Sequence, residues 1–124
     1  MAGRKGEVVL LSHTLERGVL VITVRSGPDT GERAEPAQAI SDLVHTYRPY
    51  PVVIALDGRA TDAAVSAVVR AHGMCHHLGV LMSVATDSAP ARRLLEASAG
   101  ADGPRLVVHA RVDTAVAAAY GAAA

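Results

Sequence analysis

Apolar positions in this chain fall into two alternating patterns, short continuous runs and stretches with helical spacing, and that alternation predicts an α/β fold. Val8-Val-Leu-Leu11 reads as a short strand, Glu16-Arg-Gly18 as a turn, and Gly18-Val-Leu-Val-Ile-Thr-Val24 as the first strong strand, the two forming an antiparallel edge pair. Ser26-Gly-Pro-Asp-Thr-Gly31 concentrates turn residues and predicts an exposed loop. Ala37, Ile40, Leu43, Val44 and Tyr47 then recur at helical spacing; Pro36 is tolerated only in a first turn, so this helix should start near Arg33 or Ala34. Pro51-Val-Val-Ile-Ala-Leu56 is apolar throughout, the pattern of a central parallel strand covered on both faces.

A second helix is predicted over Asp62 to His77, with Val65, Val68, Val69, His72 and Cys75 or His76 on one side, Thr61 as N-cap and Gly79 as the stop. Val80 to Ala85 reads as a strand, and Asp87 or Ser88 as the cap of a third helix with Leu94 and Leu95 inward. Arg105 to His109 is a last strand candidate, and Asp113 a cap for an Ala-rich terminal helix. Crossover connections between parallel strands are nearly always right-handed, so a small mixed, mostly parallel sheet with crossover helices is the simplest architecture.

Composition narrows the function classes. At 124 residues the chain suits one domain, and with half its residues hydrophobic it should fold around a core. Only Tyr47, Tyr50 and Tyr120 are aromatic, so the stacking surface of a single-strand nucleic-acid binder is missing. Formal charge is zero and Lys5 is the only Lys, which leaves no basic stripe for a phosphate backbone. Cys75 stands alone, which fits a reducing compartment, and no apolar run is long enough for a signal-peptide core or a membrane span; the expectation is a cytoplasmic protein without nucleic-acid or membrane partners.

Candidate chemistry is sparse. His72 and His76 have the spacing that can hold a metal, with Cys75 and His77 beside them, yet no Asp or Glu lies near in sequence; core packing and helix-end placement account for the group without a metal. Nucleotide-binding glycine motifs and the nucleophile elbow are absent, so neither an enzyme nor a cofactor is expected.

The order of motifs resembles the STAS domain of bacterial anti-sigma-factor antagonists. Val24-Arg-Ser-Gly-Pro-Asp29 is similar to that family's Gly-Glu-Leu-Asp strand exit, with Asp29 on its recurrent aspartate. Ala34-Glu-Pro-Ala-Gln-Ala-Ile40 resembles the Pro-Glu-Leu-x-x-Ala-Leu helix opening, and Val52-Val-Ile-Ala-Leu-Asp-Gly58 the strand and turn Val-Val-Leu-Asp-Leu-Ser-Gly. Val68-Val-Arg-Ala-His72 and Ser88-Ala-Pro-Ala-Arg-Arg-Leu-Leu-Glu96 are similar to the next two helices. The resemblance runs from about Gly18 to Ala119 and implies one STAS-like domain with a core from about 18 to 120.

It further implies a partner, an anti-sigma factor of the serine-kinase type, docked at the start of the second helix through Asp57, Thr61, Asp62 and Ser66, with Asp29 at the edge. In the family, a serine directly after an aspartate there is phosphorylated, and phosphorylation breaks the complex. This chain reads Asp62-Ala63-Ala64-Val65 and has no serine at the acceptor; Thr61 and Ser66 are the flanking hydroxyls that could substitute. Thr61 also fits a plain N-cap, Ser66 a packing or solvent-facing residue, and Asp29 ordinary turn chemistry. The expectation is an antagonist-like regulator lacking the usual phospho-switch. Its rivals are a scaffold or sensor module, which would self-associate as a homo-oligomer or join larger assemblies, and a small-ligand module using the strand-end loops.

Overall fold

The structure, a computed structural model, describes residues 7–28, 36–57, 61–99 and 105–123. In chain order the elements are β1 (Glu7–Glu16), β2 (Val19–Pro28), α1 (Pro36–Tyr47), β3 (Val52–Asp57), α2 (Asp62–Leu78), β4 (Met82–Ala85), α3 (Ala89–Ala99), β5 (Val108–His109) and α4 (Val112–Ala123). The five strands form one sheet in sequence order, with β1 antiparallel to β2 and all other pairs parallel. The fold is therefore α/β, with a mixed, mostly parallel sheet and crossover helices, as the alternating pattern predicts.

Because β2 to β5 advance in one direction, right-handed crossovers put α1, α2 and α3 on the same face of the sheet. There Leu20, Ile22, Ile54 and Val84 meet Ile40 and Val44 of α1, Val68 and Cys75 of α2, and Leu95 of α3 in one core cluster. Burying each of these large side chains stabilises the fold by roughly 1.5–3 kcal/mol. After β5 the chain turns back, and α4 covers the other face, packing Ala115, Val116 and Ala119 on Val19, Val21, Val53, Ala55 and Ala85. β3, central in the sheet, is buried on both faces along Val52–Leu56, which is why it reads as a continuous apolar run.

The element ends are set by local chemistry. Arg17 and Gly18, at φ 55° and 71°, make the two-residue turn joining β1 to β2, where Glu16 pairs with Val19. Thr61 caps α2 and Gly79 ends it at φ 72°, its amide donating to the carbonyls of Cys75 and His76. The Ser88 Oγ caps α3 by accepting the Ala91 amide at 3.1 Å.

Some boundaries depart from the sequence reading. β1 continues through the polar stretch Ser12–Thr14, whose side chains are exposed on an edge strand, so apolar content understates its length. Strand β4 begins only at Met82, and β5 keeps just Val108–His109 of the expected Arg105–His109 strand. Leu95 is fully buried but Leu94 is 41 % exposed, since adjacent helical residues point about 100° apart and cannot both face the core. Asp113 does not cap α4: the helix begins at Val112, the Arg111 carbonyl accepts the Ala115 amide, and Asp113 lies inside the first turn. Helix α1 is described from Pro36; the expected start at Arg33 or Ala34 falls outside the described residues.

Candidate functional site

After β3, β4 and β5 the chain passes over the carboxyl ends of the parallel strands, where α2, α3 and α4 begin. At the start of α2, Thr61 holds extended backbone angles (φ −98°, ψ 159°), its Oγ1 accepting the Ala64 amide at 3.1 Å and its carbonyl accepting the Val65 amide at 3.0 Å. Thr61 is half-buried and serves as the N-cap. Asp62 is exposed in the first turn, where the positive end of the helix dipole favours its charge. Ala63 is exposed as well, while Ala64 and Val65 turn into the core. Ser66 is exposed one turn along the helix. Asp62, Ala63 and Ser66 thus present one solvent-facing surface, with Thr61 at its border.

Asp57 sits apart from that surface. It follows Leu56, which points to the α1–α3 face, so strand alternation turns Asp57 to the α4 face. There its carboxylate lies 3.9 Å from Arg25, its register partner on β2, and both side chains are more than half exposed at 64 % and 56 %. Asp29 lies outside the described residues.

Arg25 and Asp57 belong to a cleft of about 610 Å³ between the strand ends and the start of α4. Thr23, Ala55 and Ala85, in register across β2, β3 and β4, form one side of it. Thr86 and Asp87 follow β4, and Arg111 with Asp113 form the wall at α4. The Arg111 guanidinium donates to both Asp113 carboxylate oxygens, at 3.0 and 2.8 Å, and these bonds, aided by the Thr114 amide, hold the Asp113 carboxyl down to about 2. Sequence reasoning missed Arg25, Thr86, Asp87 and Arg111. A charge closing an apolar run, as at Arg25 and Asp57, was the signal available.

At the far end of α2, His72 and Cys75 are buried and His76 and His77 exposed. Burial, with the neighbouring His76 adding to it, lowers the pKa of His72, and a hydrogen bond with the Arg105 backbone opposes the shift. Burial pushes the Cys75 thiol up to about 11, opposite to what an activated nucleophile requires. Among the described residues no three His, Cys, Asp or Glu converge as a metal site would need, and no helix is long and apolar enough to cross a membrane. No family model, curated protein or solved structure matches this chain.

Proposed function

We propose that the protein is an anti-sigma-factor antagonist-like regulator of the STAS type, which binds a serine-kinase anti-sigma factor through the start of α2 and lacks the usual phospho-switch. The observation that carries this reading is the exposed Asp62-Ala63 pair in the first turn of α2. In the family that the sequence resembles, the residue directly after this aspartate is the phosphorylated serine. Here the same kind of position faces solvent, as an acceptor must, but offers a methyl group in place of a hydroxyl. Further support comes from the resembling stretches: Val52–Asp57 is a strand, Val68–His72 lies within α2 and Ala89–Glu96 within α3.

A phosphate here would bring negative charge into the contact surface, and with Ala63 that charge cannot be added. Binding would sequester the kinase-type factor and free a sigma factor for transcription. Asp62 and Ser66 would contact the partner, with Thr61 holding the helix start in shape. The reading assigns the chain to the cytoplasm and gives it neither catalysis nor a cofactor, with no nucleic acid or membrane surface as partner.

Size-exclusion chromatography with candidate serine-kinase anti-sigma factors tests it. The wild-type chain should form one stoichiometric complex with a cognate factor, and Ala63→Glu, which adds charge at an exposed position, should abolish the complex with its thermal unfolding unchanged. Failure of every candidate to bind, or equal binding by Ala63→Glu, would overturn the reading.

A further inference from the structure

The two edges of the sheet are unlike. β5 ends it with two residues, too few to template another chain, whereas β1 ends it with ten. Among the described residues nothing pairs with the outer side of β1. The devices that usually blunt such an edge are missing. From Glu7 to Glu16 there is no Pro, Gly, Lys or Arg, and the register with β2 runs unbroken, without a bulge.

The hairpin fixes which backbone groups face outward. Glu16 and Val19 flank the two-residue turn and exchange both hydrogen bonds, so the even residues of β1 bond to β2. Leu20, the next residue on β2, accordingly turns away and donates to the Pro51 carbonyl at 2.8 Å. The amides and carbonyls of Val9, Leu11, His13 and Leu15 therefore point away from the sheet. Leu11, His13 and Leu15 stand opposite Val24, Ile22 and Leu20 on the three-helix face. That end of the core is only half covered. Val9 and Leu11, with Leu43 and Tyr47 of α1, pack on the core yet stay partly exposed, and Leu15 is 45 % exposed. His13, also exposed, meets the Tyr47 ring at 5.6 Å between centroids.

Outward backbone groups call for an extended strand, and β1 itself fits. Antiparallel pairing about a two-fold axis sets odd residues opposite odd residues, so both copies keep their three helices on one side. The longest register that sets Leu15 against an apolar residue centres on Ser12. It pairs Leu15 with Val9 and His13 with Leu11 at the hydrogen-bonded positions, each pair occurring twice. Thr14 then faces Leu10, Ser12 faces its own copy, and no charge opposes a like charge. A second copy also brings another α1 beside the first, over the partly exposed Leu43 and Tyr47, which a lone peptide strand does not.

We propose that the protein forms a two-fold dimer by antiparallel pairing of β1 with β1 of a second copy, centred on Ser12, to give one ten-stranded sheet. The short β5 then ends the sheet on both sides, so the assembly closes at two. The pairing is independent of the docking reading, because it is measured on the isolated chain and leaves the start of α2 uncovered.

Sedimentation velocity of the full chain, from about 1 to about 500 µM, should show a monomer–dimer equilibrium. Leu15→Lys removes both Leu15–Val9 pairs, and His13→Pro removes two outward amides. Each should weaken the dimer by about tenfold or more. Both residues are exposed and the His13 amide makes no bond to β2, so circular dichroism should show both monomers folded. Ser12→Cys, on the axis, should cross-link two chains under mild oxidation, since non-hydrogen-bonded strand pairs hold their Cα atoms about 4.5 Å apart. Leu10→Cys, on the same face, should not, and the buried Cys75 stays out of the reaction. A chain that is monomeric across the whole range would overturn the proposal. So would a dimer unaffected by both Leu15→Lys and His13→Pro, or cross-linking at Leu10→Cys in place of Ser12→Cys.

Discussion

The two faces of the sheet are packed by different rules. On one, three helices cover the strands, and Leu20, Ile22 and Ile54 are fully buried among them. On the other, α4 alone covers strands that carry Val and Ala, and beyond its first turn the strand ends lie open as a polar cleft. Large side chains close the first face from end to end. Small ones on the second let a helix approach closely but leave a hollow where that helix begins. In this molecule the fold's stability rests on the first face, while free polar groups gather at the end of the second and at the exposed start of α2.

Mutations should separate these roles. The largest effect is expected at Ile54, which is fully buried in β3 under the three-helix face: Ile54→Ala should cost about 2–5 kcal/mol in urea unfolding. Ala115, fully buried where α4 meets the strands, tests the second face; Ala115→Leu should overpack it and cost roughly 1–3 kcal/mol by the same measurement. If the Ala115 variant proved neutral, the close approach of α4 would not be the constraint that keeps these residues small. Thr61→Ala removes the N-cap bond to Ala64 and should cost about 1 kcal/mol, which assigns Thr61 a structural role at the start of α2.

The smallest effect concerns His72, under the three-helix face. Its folded pKa is lowered, chiefly by burial, so the unfolded chain binds this proton more readily. The stability that neutral His72 permits is complete above its ordinary value of 6.5 and is lost as pH falls below that value toward the folded pKa. Unfolding midpoints of the wild type should therefore fall between neutral and mildly acidic pH, and His72→Gln should flatten the slope. An equal slope in that variant would assign the acid sensitivity to another group.

How far the sequence was legible follows from how local each signal is. The apolar run Pro51–Leu56 announced β3, and Thr61 and Gly79 bracketed α2, because those signals lie within a few residues of the structure they cause. The length of β1 was not legible, because an edge strand hides its polar half in plain composition. The cleft was harder still. It joins Arg25, Asp57, Asp87 and Arg111 from four separate stretches of the chain, and only strand register and the return of α4 bring them to one end. The separation of Asp57 from Asp62 arose the same way: five residues apart in sequence, they fall on opposite sides of the sheet because one ends a strand facing α4 and the other opens α2.

The claim that the docking surface has the shape of a phospho-switch without its acceptor is tested most directly by restoring the hydroxyl. Wild type and Ala63→Ser are each incubated with a cognate serine-kinase anti-sigma factor and ATP, and intact masses are read. The expected result is no added phosphate on the wild type, with its complex intact, and one phosphate on Ala63→Ser, mapped to that residue, with its complex lost. A phosphate on the wild-type chain at Thr61 or Ser66, or an Ala63→Ser chain that binds the factor yet stays unmodified, would contradict it.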